Sequence, residues 1–304
     1  MTGATVRLAA VLGCIALATS RLGLVAHELG GHGGMALLLG GEVTQVKLFW
    51  FAGGWIRYRI DTGEAGLLAI TVAGMAVEVV IGGILWLTVR GGTLAARLVR
   101  GAGGALVIHA TWYFATGAWH GYGDGTLLYR DLGDARWPAA IGVAAVGCAV
   151  AYAAARWLAG AVVAAVGSRG QVAAAVVCAA GLNVVLFVGE RVVRSDAVYA
   201  DTMRREDERV VERELRAWQA REVAAGVAVD DGAVAVEQER LEDDNRQFPF
   251  RWLFAAALAV ALATGVWRSP REPAADIQAQ LVVRAAALAV GSTALVIALA
   301  VALA

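Results

Sequence analysis

Residues 22–39 read LGLVAHELGGHGGMALLL, and this run decides how the rest of the chain is read. Two histidines and a glutamate, His27, Glu28 and His32, stand inside an otherwise apolar segment that continues a second apolar run over 6–19. Ionisable groups in such surroundings are costly unless they pair or act. The run is too apolar and too long for an ordinary surface helix. A cleaved signal segment is not expected, because the basic n-region is weak and the apolar character does not stop near residue 20.

The same character recurs along the chain. Of the 304 residues 59% are hydrophobic and 17% charged, and mean hydropathy is +0.63. Soluble domains average roughly 45–50% apolar and about 25% charged. About 20 apolar residues cross a bilayer as a helix, and further stretches of that kind are 66–88, 101–119, 139–157, 171–188, 252–267 and 281–304. The expected fold is all-α and polytopic, with six to eight transmembrane helices in an integral, multi-pass protein of the cell membrane. Cys14, Cys148 and Cys178 lie in apolar runs and read as buried thiols.

Formal charge is zero, 26 basic against 26 acidic residues, which leaves no field for nucleic acid. The zero conceals a partition. Residues 195–248 hold 15 acidic and 8 basic side chains, leaving 11 and 18 for the remainder. The expected division is a membrane core over 1–194, an acidic extramembrane helical segment over 195–248, and a C-terminal pair of spans over 249–304. Within the acidic segment, opposite charges at i,i+4 such as Glu212 and Arg216 favour a helix, with a break near 226–232 and a second helix toward Asn245. It reads as a solvated connector or, alternatively, a docking site for a partner. Residues 42–61, EVTQVKLFWFAGGWIRYRID, combine β-favouring side chains with Gly53-Gly54 and predict a β-hairpin.

His27 and His32 are five residues apart, not four. On a regular α-helix they would be separated by about 140° around the axis. A single π-turn absorbs one extra residue and restores a common face, and Gly30-Gly31 is where the backbone distorts most easily. So arranged, two imidazoles could ligate zinc while Glu28 takes a proton from water; the alternative is a pair of hydrogen-bonded bundle histidines. A second constellation is WYFATGAWHGYGDGTLLYR at 112–130. His109 and His120 are eleven apart, within about 20° on a continuous helix. Asp124, between glycines, is placed to give an oxygen ligand or simply to cap the next helix. Glu78, midway along an apolar run, is expected to have a partner on a neighbouring helix, for instance a ligand histidine that it orients.

Together these features resemble the site-2 protease family of intramembrane zinc metalloproteases. HELGGHGGMALLLGGEVTQVKLFWFAGGW is similar to that family's active-site helix and the strand pair after it. Ala73-Gly74-Met75-Ala76-Val77-Glu78 falls where the family has AGPxxN, with Met75 for Pro and Glu78 for Asn. Gly123-Asp124-Gly125 is similar to its LDG. The resemblance covers about residues 20–130. It implies His27, His32 and Asp124 as zinc ligands and Glu28 as general base; His120, Glu78 and His109 are read from their positions alone, as supporting or additional ligands or as hydrogen-bonded bundle residues. Thr116 and Trp119 stand where the family has Asn and Pro, and HELGGH is atypical, though its spacing is similar to the HExxGH of the dipeptidyl peptidase III family.

The implied activity is zinc-dependent hydrolysis of peptide bonds in membrane-spanning substrates, the bilayer and a membrane-protein substrate being the partners. The hairpin is placed to receive an extended substrate by strand addition. Two alternatives are a non-catalytic scaffold or receptor of the same fold, and a metal-handling transporter. The sequence shows no internal repeat of the kind many transporters carry.

Overall fold

The computed structural model describes residues 2–120, 124–125, 128–129, 132–166, 169–194, 206–246, 256, 259–261, 263–267 and 277–303. Helix α1 (Gly3–Val25) starts on Thr2, whose hydroxyl accepts the backbone N–H of Thr5, and runs without a break into a π-helical segment, Ala26–Gly33, and then α2 (Gly34–Leu38). Gly40 takes a positive φ of 84° and turns the chain into the hairpin. Strands β1 (Glu42–Leu48) and β2 (Gly54–Arg59) pair antiparallel, Val46 opposite Ile56, with an irregularity between Val43 and Gln45. The connection is the five-residue loop Phe49–Gly53, and Gly54 already belongs to β2. Four long helices follow: α3 (Glu64–Thr88), α4 (Leu94–His120), α5 (Arg136–Val166) and α6 (Arg169–Val193).

The acidic segment forms two helices, α7 (Glu206–Ala224) and α8 (Asp231–Arg246), separated at Gly226, where φ is 76°. The last helix is α9 (Ala279–Ala302).

Among the described residues five helices are long and apolar enough to cross a membrane: Gly3–Leu38, Glu64–Thr88, Gly133–Val163, Arg169–Val193 and Ala279–Ala302. The sequence expectation was six to eight. The expected span 101–119 lies within α4, but Arg97, Arg100 and a run of Gly, Thr and His leave that helix less apolar. The expected span 252–267 is only partly described; 256, 259–261 and 263–267 are helical.

Three buried clusters hold the bundle. Leu8, Val11, Leu98, Val162, Val172 and Ile277 join α1, α4, α5 and α6 to the chain just before α9. Met75, Ala110, Ala115, Ala118 and Ala140 join α3, α4 and α5. Val46 and Leu48 of β1 pack with Val296 of α9 and with Leu24, Val25 and Leu29. That third cluster seats the hairpin against the end of α1, beside the π-helical turn. Outward-facing residues of α6 and α9 remain apolar: Val177, Val185, Val283 and Val290 are each about two-thirds exposed.

Candidate metal centre

The π-helical segment settles the five-residue spacing of the histidines. Its wider turn places His27 and His32 on one face, their rings edge to face with centroids 4.8 Å apart. Both are buried. Helix α3 crosses behind them, and each contributes to their setting. The Nδ1–H of His32 donates to the carbonyl of Ile70 at 2.7 Å, which fixes that ring so that Nε2 faces inward with its lone pair. His27 turns Nδ1 toward Oε2 of Glu78, 3.7 Å away.

Asp124 completes the group. Its Oδ2 lies 2.8 Å from Nε2 of His27 and 3.0 Å from Nε2 of His32, and the two Nε2 atoms are 3.2 Å apart. A tetrahedral ion with ligand bonds near 2.0–2.1 Å separates its ligands by about 3.3 Å. The three donor atoms therefore form a triangle close to one face of such a polyhedron. Three lone-pair-bearing atoms at these distances repel unless a cation or a proton lies among them. His27, His32 and Asp124 could hold a metal ion.

Glu28 is buried next to this group and within electrostatic reach of His27, His32 and Asp124. With His27, Glu78, His109 and Tyr113 it lines a cavity of about 590 Å³ that extends along α1 to Leu12 and is bounded by the hairpin loop at Phe51–Gly54. From Leu12 to Glu28 is about 24 Å of helix at 1.5 Å per residue. Glu78 receives a hydrogen bond from Nδ1 of His109 at 2.8 Å, and His109 stacks on Tyr113. Of the residues singled out in the sequence, His27, Glu28, His32, Glu78, His109 and Asp124 thus come together. The side chain of His120 and Gly123 lie outside the described residues.

Compared with known proteins, the chain matches no protein-family model, no curated protein and no solved structure. Its function is therefore read from this geometry.

Sequence reasoning missed two parts of the site. The first is Gly74, whose lack of a side chain lets α3 pass against both imidazoles: a Cβ there would lie 2.6 Å from Nε2 of His32 and 2.7 Å from Nε2 of His27. The second is a buried arginine and a buried glutamate that together shape the hairpin loop. Arg21 donates through Nη1 to the carbonyls of Phe49 (3.1 Å), Trp50 (3.0 Å) and Ala52 (2.8 Å), and through Nη2 to that of Phe51 (3.1 Å). Glu190 accepts the backbone N–H groups of Trp50 (2.6 Å), Phe51 (2.7 Å) and Ala52 (3.0 Å). One loop has its carbonyls bound by a cation and its amides by an anion. The signal was present: each residue is an ionisable group in or beside an apolar run.

Proposed function

We propose that the chain is a multi-pass membrane protein that uses zinc to hydrolyse peptide bonds in membrane-spanning substrates. The observation that carries this reading is the His27–His32–Asp124 triangle with Glu28 beside it at the end of an elongated cavity. Two imidazoles and one carboxylate are the donor set of a hydrolytic zinc site, three protein ligands with a fourth position left to water or substrate. Bound there, zinc would supply a Lewis acid and make water acidic near pH 7. Glu28 would accept the water proton and deliver it to the departing amide nitrogen. Glu78 would orient His27 through its inner nitrogen, as carboxylates commonly do for ligand imidazoles.

The membrane setting is supported by the five apolar helices and by the valines that α6 and α9 present outward. An aqueous protein would bury such side chains. The cavity's length and its apolar lining from Leu12, Ile15, Leu98 and Leu106 suit an apolar peptide segment.

The test uses purified full-length protein and a membrane-spanning reporter. About one zinc per chain is expected, with Glu28→Gln lowering cleavage at least about 10²-fold while keeping the metal, and His27→Ala losing it. Zinc without Glu28-dependent cleavage would make the protein a scaffold. Metal flux in proteoliposomes that survives Glu28→Gln would make it a transporter. Stoichiometric iron in place of zinc would point to the redox chemistry that a two-histidine, one-carboxylate set also supports and would overturn the hydrolase.

A further inference from the structure

Away from the metal centre, the last turn of α3, the α3–α4 connection, the first turns of α4 and one residue of α5 border a second, open pocket of about 570 Å³, lined by Leu87, Arg90, Arg97, Arg100 and Trp157. Three guanidinium groups border one space. The stretches that build it, 86–104 and 152–172, also hold Arg156 and Arg169 and contain no Asp or Glu. The hairpin is different: there Arg59 pairs with Glu42 at 3.2 Å.

Arg97 and Arg100 are held against the helices, whereas Arg90 is exposed. The Arg100 guanidinium lies 4.0 Å from the ring centre of Trp157 and 5.0 Å from that of Trp86. Arg97 packs over Gly160, where a missing side chain leaves room for Nη1. The Nε atoms of both Arg97 and Arg100 are buried and have no hydrogen-bond partner among the described residues. Gly91, with a φ of 136°, lies in the connection and also lines the pocket. Guanidinium groups that border one space match the oxygens of a phosphate. The rim is apolar: Leu87 is 69% exposed and Trp157 41%. Tryptophans and arginines at the ends of apolar helices mark the level of lipid headgroups, and basic pockets between such helices take anionic ones.

We propose that this pocket binds the phosphate headgroup of an anionic phospholipid, its acyl chains lying along Leu87 and the apolar faces beside it. The proposal rests on the membrane setting but not on peptidase chemistry, and a lipid readout is independent of zinc. The full chain, purified in neutral detergent, is mixed with equal amounts of phosphatidylglycerol and phosphatidylcholine, and retained lipid is read by native mass spectrometry. Phosphatidylglycerol is expected to be retained preferentially, with Arg90→Gln, an exposed and fold-neutral change, lowering retention about tenfold, the effect of one lost charge-assisted contact. Arg97→Gln is expected to lower it further, and Arg57→Gln with Arg59→Gln on β2 to leave it unchanged. Equal retention of the two lipids overturns the proposal, as does indifference to both Arg90→Gln and Arg97→Gln. So does an equal loss in the β2 variant, which would indicate bulk charge alone. Displacement of phosphatidylglycerol by an equal concentration of inorganic phosphate would show a free-anion site and overturn it too.

Discussion

Gly31 of the π-helical turn and Gly74 of α3 meet backbone against backbone, directly beneath the imidazoles of His27 and His32. A Cβ on Gly31 would fall 2.6 Å from the amide nitrogen of Gly74, closer than real side chains approach. Without interhelical hydrophobic driving force, membrane helices pack through such small-residue contacts. Here the close approach also carries the carbonyl of Ile70 to Nδ1 of His32. Helix packing and imidazole orientation therefore depend on the same pair of glycines.

Gly74→Ala is expected to remove the metal while the helices stay folded, because the added methyl group occupies the space where the two Nε2 atoms face the ion. Metal content after gel filtration, together with unchanged helical circular dichroism, reads the effect. One zinc per chain in the variant would show that the imidazoles do not converge where the structure has them.

The two adjacent glycines of the motif should behave differently. A Cβ on Gly30 has Val77 Cγ1 at 3.8 Å as its nearest neighbour, an ordinary contact, whereas one on Gly31 meets the α3 backbone. Gly30→Ala should therefore leave metal content and melting temperature close to those of the parent. Gly31→Ala should lower the melting temperature and release metal, since overpacking costs about 1–3 kcal/mol or more. Parallel thermal scans of the two variants decide it, and equal behaviour would refute the crossing geometry.

Glu78 links His27 to His109, with Oε2 3.7 Å from the first and 2.8 Å from the second. If it orients a metal ligand, Glu78→Gln should weaken zinc binding about 10–100-fold without abolishing it. Competition with a calibrated chelator measures this. An unchanged affinity would leave Glu78 as a partner of His109 alone.

Much of this is legible in the sequence. The five-residue histidine spacing demanded either a defect in the helix or two unrelated histidines, and a diglycine sat where the defect would form; Ala26–Gly33 is that π-helical turn. The β-favouring residues of 42–61 and a glycine pair predicted the hairpin, because both are local signals, although the turn is the loop before Gly54 and not the glycine pair itself. Asp124 was harder. It is 97 residues from His27 in sequence, and nothing in the local pattern relates it to that helix. What singled it out was its glycine neighbours and the family resemblance. The roles of Gly74 and Ile70 were not legible, because each arises from a crossing of distant segments; Arg21 and Glu190 stand out as ionisable groups in or beside apolar runs, but not the loop they share. A glycine in an apolar helix does not show what passes over it, and a backbone carbonyl carries no sequence signature.

The Arg21–Glu190 pair gives the last prediction. Both side chains are buried, and between them they bind carbonyls and amides of the single loop Phe49–Ala52, which borders the cavity. Arg194, also paired to Glu190 at 3.4 Å, lies over the rings of Phe49 and Trp50. Removing the carboxylate leaves three loop amides without their acceptor and a buried guanidinium without its counter-charge. Each buried amide left without its acceptor typically costs about 1–3 kcal/mol. Glu190→Ala should therefore free the loop and expose it to proteolysis near 49–53, while zinc content is kept, because no metal-binding atom touches Glu190. Glu190→Gln should fall between, since its amide oxygen still accepts from part of the loop but its NH2 opposes the remaining donors. Limited proteolysis with metal analysis on the same samples separates the outcomes. A loop as resistant in Glu190→Ala as in the parent would mean that the hairpin holds its shape through β1 and α9 alone.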